Sequence, residues 1–446
     1  MNGSISSWTL GIFVSCFLSA NMAVGQTNWP QFRGADSTGV AKGEYPTEWS
    51  IDKNIRWSIK IPGRGWSSPI VWENKVFLTT VVNAGETEKP KRGLYFGGDR
   101  QGIPQTQHSW KVVCLNRDTG KVLWERDAKQ GIPQQPLHIK NSYASETPVT
   151  DGERVYAYFG NEGLFCYDLD GKPLWDRSWP AHKTRLSWGT AASPVVYEGR
   201  IYIVNDNEEK SFLTCLDATT GEDIWTVDRD EKSNWSTPFI WKNSLRTEII
   251  TPGSGKTRAY DLDGKPLYEF GGASSITISM PYAQHGMLYV SSGYIGDQKR
   301  PLFAIKPGAS GDISLSADQT SSEYVAWCQK QGAPYNPSTI VYGDQIYVLL
   351  DRGIVMSFDA KTGEQIYGRK RLPNGRAFTA SPWAANGHIY FLNEYGKTFV
   401  VKAGRKFELE RTNDLGEELA MATPALTGGR ILLRTDRILF CLENPQ

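Results

Sequence analysis

Five histidines, His108, His138, His182, His285 and His388, are the first side chains to test for chemistry, and no two stand at a metal-ligand spacing. His285 falls in a hairpin turn and His388 replaces a turn-flanking residue such as Arg200, so both are expected to be structural. Gly253-Ser254-Gly255-Lys256-Thr257 resembles part of a phosphate loop, but Ile250 stands where the first glycine belongs. That stretch also joins two strands instead of opening a helix. Asp206-Asn207-Glu208-Glu209 has the charge to attract a cation, although an acidic hairpin tip is the simpler meaning. These residues assign no catalytic group and no metal ligand.

A second set is defined by position. Arg64 and Trp66, Tyr143 and Glu146, Trp188, Asn234 and Trp235, Tyr335 and Asn336, and Arg376 and Phe378 stand just before copies of a recurring Ser/Thr-x-Pro-like signal. Aromatic faces interleaved with Arg, Asn and Glu suit a pocket that stacks a flat or cyclic ligand and fixes it with a few hydrogen bonds. The same rings would also serve to plug a channel. Which of these holds depends on the elements that carry them.

Those elements repeat. The signal occurs at Ser67-Ser68-Pro69, Glu146-Thr147-Pro148, Ala192-Ser193-Pro194, Ser236-Thr237-Pro238, Ser279-Met280-Pro281, Ala380-Ser381-Pro382 and Ala422-Thr423-Pro424. An eighth copy, Ser338-Thr339-Ile340-Val341, has its proline displaced to Pro337. Five of the seven steps between copies are 42 to 46 residues, the length of a four-stranded blade in a WD40-like architecture. Pro69 to Leu78 matches Pro194 to Ile203 as strand, tight turn on Asn74 or Gly199, and strand. A later turn, Asp217 to Gly221 before Trp225, recurs as Asn116 to Gly120 before Trp124, Asp168 to Gly171 before Trp175, Asp261 to Gly264 before Tyr268, and Asp359 to Gly363 before Tyr367. Its glycine supplies a positive φ, its Asp caps the backbone, and its aromatic is a large wedge for the space between blades.

The spacing predicts an all-β, eight-bladed β-propeller of four-stranded antiparallel blades filling residues 26–446. In such a ring, residues leading into the innermost strands converge on one mouth of the central channel. Two insertions are expected, at about 83–110 in the first blade and 312–323 in the fifth. The last copy has only three strands, so Asn54 to Ile61 with Trp57 is expected to supply the fourth and close the ring. Cys114, Cys166, Cys215 and Cys441 share one third-strand position in different blades, too far apart for disulfides, and should be reduced with Cys328.

The Asp-x-x-Thr-Gly-x-x-x-Trp element resembles the repeat of the pyrroloquinoline-quinone (PQQ) type propellers, and the resemblance covers essentially residues 28–446. That superfamily includes quinoprotein alcohol dehydrogenases and the propeller lipoprotein of the bacterial outer-membrane protein assembly machine. More closely, the chain is similar to exported PQQ-binding-like propellers. The enzymes resemble one another in a vicinal Cys-Cys disulfide and in carboxylate and amide ligands for calcium. This chain has no adjacent cysteines and no matching ligand set, so no cofactor is expected. The resemblance implies an exported, non-catalytic binding or scaffold module for a protein or carbohydrate partner. Its alternative is a quinoprotein-type dehydrogenase using PQQ and calcium at the channel mouth.

Composition agrees with a folded chain. Of 446 residues, 39% are hydrophobic, and 49 basic side chains balance 48 acidic ones, which removes the electrostatic case for nucleic acid. Trp8 to Ala20 is an apolar run followed by small residues at Ala23-Val24-Gly25, and residues 1–25 are expected to be a signal peptide directing a monomer to the periplasm or outside the cell. A membrane anchor and a lipid-modified Cys16 are the rival readings of that run. No later segment is apolar enough to span a membrane.

Overall fold

Each proline-led apolar run becomes a short inner strand, and the chain reverses on the Asn or Gly that follows. Ile70–Trp72 pairs antiparallel with Lys75–Asn83, which pairs with His108–Asn116 and then Val122–Gly131. The same order repeats to give eight sheets arranged as an eight-bladed β-propeller. The computed structural model describes residues 27–85, 90–95, 102–416 and 418–445, with Gly3. The leader expected over 1–25, Gly3 apart, lies outside the described residues, as do 86–89 and 96–101 of the first insertion. Helical structure among the described residues is confined to two single 3-10 turns, Gly160–Glu162 and Arg185–Ser187. No helix among them is long and apolar enough to cross a membrane.

The eighth sheet contains Ala425–Thr427, Arg430–Arg434 and Ile438–Glu443, and its outer strand is Ile55–Lys60 from the other end of the chain. Trp57 lies opposite Cys441 in that pairing. The ring therefore closes by a shared sheet. The fourth blade departs from the expected four strands. Gly311–Asp312, from the insertion expected to lengthen the fifth blade, pairs parallel with Tyr268 and Glu269 and makes a fifth strand there. The excursion thereby covers an edge whose N–H and C=O groups would otherwise face solvent.

Blades are joined by the aromatic after each Asp turn. A Cβ on Gly171 would lie 2.6 Å from the Trp124 ring, and one on Gly221 would lie 2.5 Å from Trp175. Trp57 faces Gly120, Trp225 faces Gly264 and Trp327 faces Gly363 in the same way. Several indoles also donate to the neighbouring turn: Trp57 Nε1 to Arg117 O at 3.0 Å, Trp124 Nε1 to Leu169 O at 3.0 Å and Trp225 Nε1 to Leu262 O at 3.1 Å. Each turn glycine thus has a left-handed φ and a flat surface that accepts the previous blade's indole. On the adjoining strand, Cys114, Cys166, Cys215 and Cys441 face Trp124, Trp175, Trp225 and Trp57. These four and Cys328 are buried and unbridged, with thiols pushed up in pKa by burial.

Residues 27–49 do more than lead into the closing strand. Thr27 O accepts from Thr427 of blade eight, Trp29 exchanges two 2.8 Å hydrogen bonds with Val71 of blade one, and Pro30 O accepts from Thr150 N of blade two. Further on, Ala41 N donates to Ala384 O of blade seven, and Asn413 in the same blade holds Thr47 and Trp49. The segment crosses the channel from one side to the other and separates an upper cavity from a lower groove.

Candidate functional site

The Ser/Thr of the repeat signal is explained at the channel wall. Ser68 N donates to Thr147 Oγ1 of the next blade at 3.0 Å, Thr147 N to Ser193 Oγ at 2.9 Å, and Ser193 N to Thr237 Oγ1 at 3.0 Å. On the far side Met280 N donates to Ser338 Oγ, Ser338 N to Ser381 Oγ and Ser381 N to Thr423 Oγ1, all at 2.9–3.0 Å. Six of the eight blade junctions are tied this way. At the other two, Ser236 Oγ donates to Ser279 O, and Arg434 Nη1 donates to Ser67 O and Oγ. Because each girdle hydroxyl accepts an amide proton, its own proton is left to donate elsewhere.

Above this girdle is a cavity of about 260 Å³, with the girdle hydroxyls around its lower part and Phe32 of the crossing segment at its floor. Its wall is a continuous arc of rings. Tyr95 meets His138 at 5.4 Å between centroids, His138 meets Trp188 at 5.7 Å and Trp188 meets Trp235 at 5.8 Å. Trp66 and Tyr335 stand elsewhere on the same rim. The indole N–H groups of Trp66 and Trp235 are spent on Lys140 O at 2.7 Å and Gly189 O at 2.6 Å, which fixes the two largely buried rings. His138 Nδ1 accepts from Lys140 N at 3.0 Å, so its proton resides on Nε2 and points to Tyr95 O.

Part of the first insertion roofs one side of the cavity. Glu394, at the tip of a blade-seven hairpin and 1% exposed in its side chain, accepts from Lys140 Nζ at 2.6 Å, Thr379 Oγ1 at 2.7 Å and Gly93 N at 2.8 Å. Its main-chain oxygen accepts from Arg92 Nε at 2.9 Å. Lys140 Nζ also donates to Gly93 O. Arg92 and Arg376 both stack on Tyr395, at 4.7 and 4.8 Å. One buried carboxylate thus pins Pro90 to Tyr95 between blade seven and the stretch leading to blade two.

Of the residues expected at the mouth, Trp66, Trp188, Trp235, Tyr335 and Asn336 line this cavity and the other six do not. Phe378 is buried in an apolar cluster, and Arg376 belongs to the Tyr395 stack. Tyr143 packs edge-on to Trp110 and donates to Gln135 O. Asn234 donates to Asp206, which itself pairs with Arg229 in a fully buried ion pair, so the expected acidic tip is partly interior. Arg64 bridges Val81 by main-chain bonds. Glu146 is 1% exposed behind the wall, its Oε1 has no partner, and burial pushes its carboxyl up to about 7. Proximity to the start of an inner strand was thus a sufficient signal only where the side chain leans inward.

Sequence reasoning missed Phe32, the insertion's Gly93 to Tyr95, Lys140 and Asn141, and the lumenal role of the girdle hydroxyls. The last was in plain view as a recurrence. The glycine-rich stretch 253–257 joins two strands as expected, and Ser254 N donates to Glu231 at 2.6 Å, which places a carboxylate where a phosphate loop would need its anion. His285 and His388 bond Gly343 O and Glu410 in hairpin turns. No group of three His, Cys, Asp or Glu among the described residues could hold a metal ion.

Comparisons with known proteins complete this picture. The family described as outer membrane protein assembly factor BamB matches residues 47–209, 109–267 and 209–444. None of the curated proteins matches in sequence. Among solved structures, BamB from Moraxella catarrhalis superposes with a TM-score of 0.58 at 10% identity, over 87% of this chain and 99% of that one. The quinohemoprotein alcohol dehydrogenase ADHIIG from Pseudomonas putida HK5 gives 0.55 at 12% identity, over 94% of this chain and 82% of that one. The quinohemoprotein alcohol dehydrogenase from Comamonas testosteroni gives 0.57 at 12%, over 96% and 83%. At such identities the likeness is one of fold.

Proposed function

Given that the chain belongs to the family described as outer membrane protein assembly factor BamB, we propose that it is a non-catalytic binding module whose channel mouth takes one cyclic, hydroxyl-bearing unit of a carbohydrate partner. The observation that carries this reading is the fixed aromatic arc Tyr95, His138, Trp188 and Trp235 standing over a girdle of hydroxyls. Ring faces stack on the apolar faces of a sugar, and hydroxyls exchange hydrogen bonds with its edge. The cavity, about 260 Å³, is smaller than the ~300–1,000 Å³ of sites for drug-sized ligands. It suits a single unit reached from a longer chain. The apolar run near the N-terminus and the family's description both favour a place of work outside the cytoplasm.

The test is a glycan-array screen followed by calorimetry on each hit. Trp188→Ala with Trp235→Ala should weaken binding by about 2 kcal/mol or more. Unchanged affinity in a folded double variant would move the site off the mouth.

A second reading, a protein partner, rests on a different surface. Leu123, Leu174 and Ile224 occupy the same outward position on the outermost strands of three consecutive blades and are 46%, 42% and 44% exposed. A row of apolar side chains on open strand edges is a surface another chain could pair with. The quinone alternative fits the lining poorly. Among the described residues no carboxylate lines the cavity, the sequence has no adjacent cysteines, and the one cationic side chain among the described lining residues, Lys140, is held by Glu394. No redox step is therefore routed through these residues.

A further inference from the structure

We propose that the groove below the crossing segment is a docking site for an extended, uncharged peptide segment of a partner protein, held by main-chain bridges to the innermost strands of blades three to six. The site is independent of the reading of the channel mouth, because residues 27–49 separate the two spaces.

The first observation is which main-chain groups the crossing segment uses. Each innermost strand has a middle residue whose N–H and C=O turn toward the channel. Val71 of blade one spends both on Trp29, and Thr150 N of blade two donates to Pro30 O. Ala384 O of blade seven accepts from Ala41 N at 2.9 Å, and Ala384 N donates to Gly39 O at 3.0 Å. The equivalent residues of blades three to six are Val196, Ile240, Ala283 and Val341. Two-residue turns pair Tyr197 with Arg200, Gln284 with Met287 and Tyr342 with Gln345, and the alternation of an antiparallel ladder then turns the middle residue's groups out of the sheet. In blade four the bond from Asn243 N to Arg246 O sets the same alternation at Ile240. No described residue pairs with the main chain of any of these four from the channel side.

The second observation is the space in front of them. All four line a groove of about 950 Å³, against about 260 Å³ for the upper cavity. Val40 and Ala41 line it too, so the groove continues the interface that the crossing segment makes with blade seven. Val71 and Ala384 lie under that segment and are fully buried, whereas Val196, Ile240 and Ala283 are half-buried. An extended chain thus covers one half of the lower channel and leaves the matching strands of the other half open. An open strand edge is what an extended peptide pairs with. The segment's own bridge to blade seven indicates the occupant's chemistry. Gly39 and Ala41 make it, and a Cβ on Gly39 would lie 3.2 Å from Pro382 O, so small residues suit the points where main chain meets strand. Asp36, Glu44, Lys42 and Lys242 are the charged side chains of the described lining, two of each sign, so the groove selects no net charge.

Random 12-residue peptides displayed on phage test this, selected on the whole protein and counter-selected on Lys242→Trp with Gln284→Trp, which fills the groove from two exposed positions. Enriched sequences should be neutral and rich in Gly, Ala and Ser. By fluorescence anisotropy they should bind the wild type ten-fold or more tightly than the filled variant. Val196→Pro with Ile240→Pro should weaken them similarly, because proline removes an N–H that the blade's ladder does not use. N-methylation of alternate peptide amides should cost ten-fold on the wild type, a measurement that needs no variant to fold. The inference is overturned if no peptide is enriched, if N-methylation leaves affinity unchanged, or if enriched peptides bind the folded variants as tightly as the wild type, which would move them to the outer strands. A wild-type dimer that dissociates in the filled variant would put a second copy in the groove instead. A chain starting at residue 26 that binds peptides the full chain refuses would put the chain's own first residues there.

Discussion

Glu146 shows how a side chain chosen for its position can matter for another reason. Burial holds its carboxyl at about 7 against an ordinary 4.5, and its Oε1 has no hydrogen-bond partner. Between those two values the folded chain keeps a proton that the unfolded chain loses. The folding contribution is therefore fully present below about pH 4.5 and is lost as pH rises toward 7, up to roughly 3 kcal/mol. Glu146→Gln should flatten that slope, giving a variant more stable than the parent at pH 8 but not at pH 4.5 in urea titrations. Glu394 makes the opposite case, a carboxylate that sequence reading passed over. It carries Lys140, Gly93 and Thr379 at once. Glu394→Gln should release the Pro90 to Tyr95 strap, and trypsin should cut after Arg92 at least ten-fold faster while circular dichroism of the blades is unchanged. An unaltered cleavage rate would mean that the strap is held by other contacts. The five lining residues legible in the sequence, four rings and the Asn336 amide, are those that precede an inner strand and lean inward. Residues such as Lys140 and Tyr95 reach the cavity from long connections, whose course no periodicity encodes.

The blade was the most legible element, because its turn chemistry and its packing are written in the same few residues. The Asp that caps the turn, the glycine that gives the positive φ and the aromatic that follows were read as one motif, and the structure shows what the motif is for. The glycine of one blade is the seat of the preceding blade's indole. Gly171→Ala should accordingly cost more than an ordinary strained turn, about 2 kcal/mol or more, since a Cβ there would meet the Trp124 ring at 2.6 Å and a left-handed φ is required as well. Trp225→Ala should cost about 3 kcal/mol or more by opening a cavity at a blade junction. Thermal denaturation of both variants beside a Trp188→Ala control separates wedge from mouth, because the control should melt close to the parent. The cysteines follow the same logic. Thiol titration of a denatured chain starting at residue 26, without reductant, should count five. A count of three or one would reveal a disulfide.

At the scale of the whole molecule, closure by Trp57 opposite Cys441 was foreseen from a missing strand. The crossing of the channel by residues 27–49 was not, since those residues have no repeat partner and their contacts are set only once the ring exists. A chain starting at residue 62 would leave blade eight with three strands and the channel open below. Its melting temperature should fall by 10 °C or more, roughly the effect of a few kcal/mol in a large domain, and a synthetic peptide of residues 27–61 should restore part of the loss in calorimetry. The same crossing has a consequence in time. Thr27 bonds a residue 400 positions away and Trp49 one 364 away, so the ring's last contacts join nearly the two ends of the chain. Contacts of such separation form late, after the entropy of a very long loop has been lost. Until then the partial ring exposes two unpaired sheet edges, and the interval before closure, more than any weakness of the finished molecule, is when aggregation competes with folding. Refolding should show a slow, concentration-sensitive final phase, and a linker that brings residues 27–61 next to blade eight should shorten it.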